Sequence, residues 1–440
     1  MSTAPLFAHV KIDLLIAAEK RHLWHPFTQM RAWCTPEHDP LVLVEGSGAI
    51  LRDREGREYV DGNSSIWTNI HGHRHPAIDA AIKRQLDRVA HASFLGSTNV
   101  PAIELAEKLV ACFPPRTLTR LFYSDDGSTA VEVAVKMTLQ YWQLCGRPAK
   151  TRFVAFENAY HGDTTGAASL GGLGTFTSRF SAIHFPVERV ADLDALSTRD
   201  PEQIAAVIIE PLVQGAAGIR LWPHGMLKVL RAWCDAHDVL LVFDEVLTAF
   251  GRTGRLFACE HEGVLPDFLC LAKGLTGGYL PLAATLTTER VYDAFLGEYH
   301  ELKTFFYGHS YCGNPLGCAA ALASLKIFQE ENTLETLKAK ILLLGELLDG
   351  LRDLPNVSEI RRCGFITGIE IRRGSGEPFP WQEQTGARVC VAARKHGLLT
   401  RPILDTIVLM PPLCTTHGQL DRAIDAIRRA VREVCEGLVG

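Results

Sequence analysis

Residues 239–254 read VLLVFDEVLTAFGRTG, and residues 266–278 read PDFLCLAKGLTGG. Each opens on an apolar run of strand length. The first run ends on Asp244, and the second is followed closely by Lys273. Short apolar runs bounded by turn formers are the mark of strands buried on both faces. Outward from this pair, the same signal recurs at residues 118–123, 152–156, 205–209 and 283–287. Between the first two of these, residues 127–142 place Ala130, Ala134, Met137 and Tyr141 at helical spacing. Apolar strands interleaved with helices predict an α/β fold with a mostly parallel sheet covered on both faces.

The carboxy-terminal part reads differently. A helical stretch covers 334–351, and strand-like segments follow at 365–371 and 407–410. The closing helix carries Leu420, Ile424, Ile427, Val431 and Val434 on one face. This predicts a small α+β domain over 333–440 and a large domain over 61–332. Residues 1–60 form an N-terminal segment that packs with the small domain or crosses to a partner subunit. Within it, DREGREY at 53–59 is a turn between short strands.

Composition narrows the function. A chain of 440 residues is too long for one simple core, and 47% hydrophobic with 22% charged residues fits an ordinary soluble protein. The net charge of -5 is spread among mixed signs, which removes the electrostatic case for nucleic acid. No apolar run has the length of a membrane span. The N-terminus lacks the order of a secretory signal, so a cytoplasmic location is expected. Twelve cysteines without a C-x-x-C pair predict reduced, mostly buried thiols.

In open α/β sheets, ligands bind beyond the carboxyl ends of the strands, and three polar signals stand there. Asp244 is a carboxylate at the end of a buried strand. It needs a cationic or hydrogen-bonding partner, such as a protonated pyridine nitrogen, or else it is a helix cap or a metal ligand. Lys273 precedes the flexible Gly274–Gly278 stretch. It is a desolvated amine able to attack an aldehyde, or an ordinary solvated lysine. Asp126, Gly127 and Ser128 open a helix, a place that suits a phosphate or is merely capped. Jointly the three supply a phosphate cup, an anion and an amine, the full demand of pyridoxal 5'-phosphate. The run His71, Gly72, His73, Arg74, His75 has the look of a metal cluster. No further ligand stands at matching spacing, so no metal is expected and a turn beside the substrate pocket is.

With these residues in view, the chain resembles the class III, fold-type I aminotransferases, over nearly its whole length. The DEV…GRTG…KG pattern carries the likeness, which implies seven strands in the sheet of the large domain. Within the class, residues 22–30 (HLWHPFTQM), 61–72 (DGNSSIWTNIHG), 160–164 (YHGDT), 303–313 (KTFFYGHSYCG) and 409–412 (LMPP) resemble the biotin-pathway branch acting on 8-amino-7-oxononanoate. The resemblance implies that Lys273 attaches the cofactor's aldehyde and Asp244 pairs with its ring nitrogen. It implies that Gly127 and Ser128 hold the phosphate, that Tyr160 stacks on the ring, and that Glu210 lies near the cofactor and can pair with arginine. His309 and Ser310 would reach the phosphate of a neighbouring subunit, hence a homodimer. Arg401 would take the substrate's terminal carboxylate, with Phe27, Ile66, Trp67, Gly308 and Val408 lining the pocket. The expected amino donor is S-adenosylmethionine. The forms that use it have tyrosine, tryptophan and tyrosine where Phe27, Ile66 and Val408 stand, and the residues here resemble a subgroup with lysine-using members. Lysine is therefore the alternative donor. Other class III ω-amino-acid transaminases, an aminomutase and a vitamin-B6-binding protein are the competing readings.

Overall fold

The computed structural model describes residues 12–436. Residues 1–11 of the expected N-terminal segment and 437–440 of the expected small domain lie outside the described residues. By compactness the chain falls into two units. One comprises the residues up to 45 together with 51–58, and the other comprises 46–50 and the chain from 59 onward.

In the first unit, the helix Ile12–His22 is tied to the following turn. Lys20 Nζ donates to the carbonyls of Thr35 (2.7 Å) and His38 (2.5 Å), and Trp33 Nε1 donates to Glu19 (2.8 Å). The 53–59 turn is held by Asp53, whose Oδ1 accepts from the backbone N–H of Glu55 and Arg57 at 2.9 and 3.0 Å. An aspartate folding back on its own backbone is the local chemistry of such turns.

The second unit is built on a seven-stranded sheet. Its strands are β1 (Leu118–Ser124), β2 (Arg152–Phe156), β3 (Val187–Val190), β4 (Ile204–Ile209), β5 (Leu240–Asp244), β6 (Phe268–Leu271) and β7 (Ala283–Thr288). Their order is β1-β7-β6-β5-β4-β2-β3, and β7 alone runs antiparallel to its neighbours. Every residue of β4, β5 and β6 is buried, which is why these strands are apolar up to Asp244 at the end of β5 instead of alternating. The helix α1 (Gly127–Leu144) lays Ala130, Ala134 and Val135 on this sheet, and its Trp142 Nε1 donates to the Ala205 carbonyl at 2.8 Å.

The strand β3 was not expected from sequence. It lies at the sheet edge with a half-exposed VERV pattern, so its apolar signal is weak. The carboxy-terminal residues form their own antiparallel sheet of β8 (Val357–Cys363), β9 (Ile366–Ile371), β10 (Pro402–Ile403) and β11 (Thr406–Leu409), in the order β8-β9-β11-β10. Here β8 escaped sequence reading for the same reason: its SEIRR run is largely polar and it pairs on one side only. The last helix, His417–Glu436, buries Leu420, Ile424, Ile427, Val431 and Val434 as the sequence stripe required. This sheet and helix lie in the same compact unit as the seven-stranded sheet. No helix among the described residues is long and apolar enough to cross a membrane.

Strand register positions the site. Asp244 of β5 stands opposite Cys270 of β6 in a parallel pair. Lys273 therefore leaves the sheet at the same end as Asp244. Because β5 is covered on both faces, removing a large side chain from it leaves a void the sheet cannot close. Phe243→Ala should cost about 3–5 kcal/mol of stability, seen as a lower midpoint in urea unfolding.

Candidate active site

A cavity of about 430 Å³ opens at the carboxyl ends of β1, β5 and β6, lined among others by Ser128, Tyr160, His161, Asp244 and Lys273. Asp244 forms its floor. The carboxylate is 5% exposed. Its Oδ2 accepts from His161 Nδ1 at 2.8 Å and its Oδ1 from the Val246 N–H at 3.1 Å. The His161 side chain is itself buried, and its Nε2 has no hydrogen-bond partner. Glu210, after β4, is also buried. Its two oxygens accept from the N–H groups of Tyr160 (3.0 Å) and Gly215 (2.8 Å). Burial, with a smaller push from Asp244, raises its pKa to about 7.

Lys273 enters the cavity from a left-handed backbone position, φ 42°. Its amine lies 4.9 Å from the centroid of the Trp67 indole. Burial lowers its pKa, while Asp244 and Glu210 pull the other way. Desolvation of this kind raises the neutral, nucleophilic fraction of an amine.

The mouth of α1 supplies the third component. Asp126 caps the helix through Oδ1, which accepts the Thr129 N–H at 2.9 Å, while Thr129 Oγ1 accepts the Asp126 N–H at 2.9 Å. This reciprocal cap satisfies the third helical N–H and leaves those of Gly127 and Ser128 open at the positive end of the helix. Side chains are excluded nearby. A Cβ on Gly127 would stand 2.5 Å from Val246 Cγ1, and one on Gly162 would stand 2.1 Å from Ser128 Oγ. The backbone can thus approach an anion closely.

A family model described as "Aminotransferase class-III" matches residues 34–431. The chain belongs to the class III aminotransferases. Among relatives, the adenosylmethionine-8-amino-7-oxononanoate aminotransferase of Geobacter sulfurreducens is 47% identical, covering 95% of this chain and 97% of the relative. The crystal structure of the enzyme of that name from Methanocaldococcus jannaschii is 40% identical with a TM-score of 0.93, covering 96% and 99%. A PLP-bound amine transaminase from an uncultivated Pseudomonas species is 32% identical with a TM-score of 0.87, covering 94% and 99%.

The remaining expected residues of this class III aminotransferase divide by position. Tyr160 lines the cavity, and its hydroxyl donates to Asp163 at 2.8 Å. Trp67 lines the cavity as well. Ile66, one residue earlier, is 42% exposed and is not part of the lining. Val408 is fully buried behind the wall, in a cluster with Leu247 and Met410 against which Trp67 packs. Arg401 is exposed, and no carboxylate pairs with its guanidinium among the described residues. Glu210 meets backbone N–H groups instead of an arginine. His309 bonds to Asp125 Oδ2 (2.9 Å) and to the Tyr307 hydroxyl (2.7 Å). Gly308 and Ser310 beside it are exposed. Phe27 belongs to the first unit, with a left-handed backbone, φ 50°.

The three histidines at 71–75 turn to separate partners. His71 meets Ser324 (3.1 Å), His73 meets Asp61 (2.9 Å), and His75 caps a helix at Ala77 and meets Glu331. Burial drops the His71 pKa to about 3. His161 is the functional residue that sequence reading missed. Its only signal is adjacency to Tyr160, because its contact with Asp244 spans 83 positions.

The raised Glu210 pKa has a pH consequence. A carboxyl whose folded pKa lies above its unfolded value holds its proton more tightly when folded. Its stabilising contribution is therefore complete below pH 4.5 and is lost as pH rises through about 7. Calorimetric melts of the cofactor-free protein between pH 4.5 and 7 should fall less steeply for Glu210→Gln than for the parent.

Proposed function

We propose that this chain is a pyridoxal-phosphate-dependent transaminase that converts 8-amino-7-oxononanoate to 7,8-diaminononanoate in biotin biosynthesis, with S-adenosylmethionine as donor. The observation that carries the cofactor is the convergence on one cavity of a desolvated amine, a buried carboxylate and two open helix N–H groups. The names of relatives matched over their full length support the substrates.

The residues fit the cofactor. The floor carboxylate Asp244 offers an anion to a ring nitrogen, the Gly127 and Ser128 N–H groups offer donors to a phosphate, and Gly127 and Gly162 let these segments pack closely against Val246 and Ser128. When bound, pyridoxal phosphate supplies an aldehyde that condenses with amines and a protonated ring that accepts the electron pair left when a Cα–H is removed. Asp244 would hold the proton at the ring nitrogen, and His161 holds Asp244 by a 2.8 Å bond that fixes the orientation of the carboxylate. Lys273 would hold the aldehyde, and its desolvated amine is the group that would take up and return a proton in this cavity. Tyr160 and Trp67 are the aromatic walls, and they limit water at the amine. Arg401 presents a planar fork without an ion-pair partner, suited to the far carboxylate of the acceptor.

A homodimer with shared sites is part of the proposal. Leu95 and Phe306 are 90% and 77% exposed, and exposed Ser310 stands in the same loop as Phe306. A contiguous group of such side chains would mark an association surface, and the family resemblance assigns His309 and Ser310 to a neighbouring subunit's phosphate. Twelve cysteines, none in a disulfide, suit a reducing cytoplasm.

Mixing the loaded protein with S-adenosylmethionine in a stopped-flow cell should bleach its visible band, and 8-amino-7-oxononanoate should restore it. Bleaching by lysine instead would reassign the donor, and it would fit the missing rings at Ile66 and Val408. Lys273→Ala should abolish both the visible band and turnover. Arg401→Ala should raise KM for the acceptor roughly ten- to 150-fold, the loss of one charge-assisted pair, with kcat less affected.

A further inference from the structure

Residues 64–67 form a left-handed turn. Their φ values are 46, 48, 68 and 70°, in four successive residues none of which is glycine. L-residues avoid this conformation because Cβ crowds the following carbonyl, so such a turn persists only where its surroundings fix it. The hydrogen bonds do so. The Trp67 N–H donates to the Asn63 carbonyl at 2.8 Å. Asp61 takes the Ser65 N–H at 2.9 Å and the Ser65 hydroxyl at 2.8 Å. Fully buried Arg252 donates to the carbonyls of Trp67 (3.2 Å) and Asn69 (2.9 Å). These bonds fix the backbone, yet none of them sets the angle of the indole.

That angle has one polar determinant. Trp67 Nε1 donates to Asn63 Oδ1 at 2.8 Å, and Asn63 is 7% exposed. The ring passes close to Gly215, where an added Cβ would stand 3.4 Å from Cζ3, and its face lies 4.9 Å from Lys273 Nζ. An aromatic face at this distance stabilises positive charge on an amine. It also forms the wall past which a substrate must slide.

We infer that Asn63 is a positioning residue: its side-chain oxygen fixes the indole of Trp67 against the amine of Lys273. The turn brings Trp67 to the cavity, and Asn63 decides which part of the ring faces Nζ. Loss of the Oδ1 acceptor leaves a half-buried indole N–H unpaired and frees the ring about its side-chain torsions. The charged state of the lysine nitrogen then loses its aromatic partner, and the substrate wall loses its shape. The inference builds on Lys273 as the reacting amine, so its test includes one measurement that does not use that reading.

The chain has seven tryptophans. In cofactor-free protein labelled with ¹⁵N-tryptophan, Trp67→Phe identifies the Trp67 indole resonance by its disappearance. Asn63→Leu should move that resonance and leave the others in place, while Asn63→Asp, which keeps an acceptor, should hold it. In protein loaded with pyridoxal phosphate, the pH midpoint of the visible band reports protonation of the Lys273 nitrogen. Asn63→Leu should lower this midpoint by about half to one pH unit and raise KM more than it lowers kcat. In a Trp67→Phe background the same substitution should change neither. If Asn63→Leu does not fold, Asn63→Ser, whose hydroxyl is too short to reach the indole, takes its place. An unmoved indole resonance would overturn the bond. A moved resonance with an unchanged midpoint and KM would reduce Asn63 to a structural residue and overturn the inference. Absence of any visible band in the parent would instead count against the transaminase reading.

Discussion

The parallel pairing of the strands Leu240–Asp244 and Phe268–Leu271 fixes where the chemistry can happen. With Asp244 opposite Cys270, a carboxylate and the lysine that follows the second strand must emerge at the same end of one buried sheet. Both strands are sealed on both faces, so neither can slip its register without exposing a full set of apolar side chains. The site inherits the rigidity of the core, while its reacting groups sit on the loops that leave it.

Burial then sets the electrical character of the cavity. Asp244, Glu210 and Lys273 share one poorly solvated space, and each is held differently. Asp244 keeps a histidine and a backbone N–H at its oxygens. Glu210 is held by two backbone N–H groups, and its pKa still rises to about 7. Lys273 has an aromatic face beside it, and its pKa falls. Asp244 is the carboxylate held by a histidine, and burial makes the charge on the amine easier to remove than it is in water. That division of labour suits amine transfer.

Left-handed backbone borders the same cavity. Lys273 and the four residues ending at Trp67 all occupy the left-handed region. Such backbone is tolerated when hydrogen bonds from several elements agree on it. Here Asp61 and Asn63, just before the turn, and Arg252, from a distant segment, supply them. Gly127 and Gly162 also line the cavity, where an added Cβ would collide with Val246 or Ser128.

Much of this was legible in the sequence. The central strands announced themselves because strands buried on both faces must be apolar along their length. The amphipathic last helix did so because one face alone is covered. The edge strands Val187–Val190 and Val357–Cys363 stayed hidden, since a strand paired on one side can carry charged residues. Asp244, Lys273 and the helix opening at Gly127 could be named from local chemistry at strand ends, where each was individually ambiguous. What only the tertiary structure decided was which distant groups touch: His161 on Asp244, Asn63 on the Trp67 indole, Asp125 on His309, and Val408 in the core behind the wall. A sequence records the residue types that a site needs. Contacts between separate segments depend on the packing angles of the whole sheet, and no local pattern encodes those.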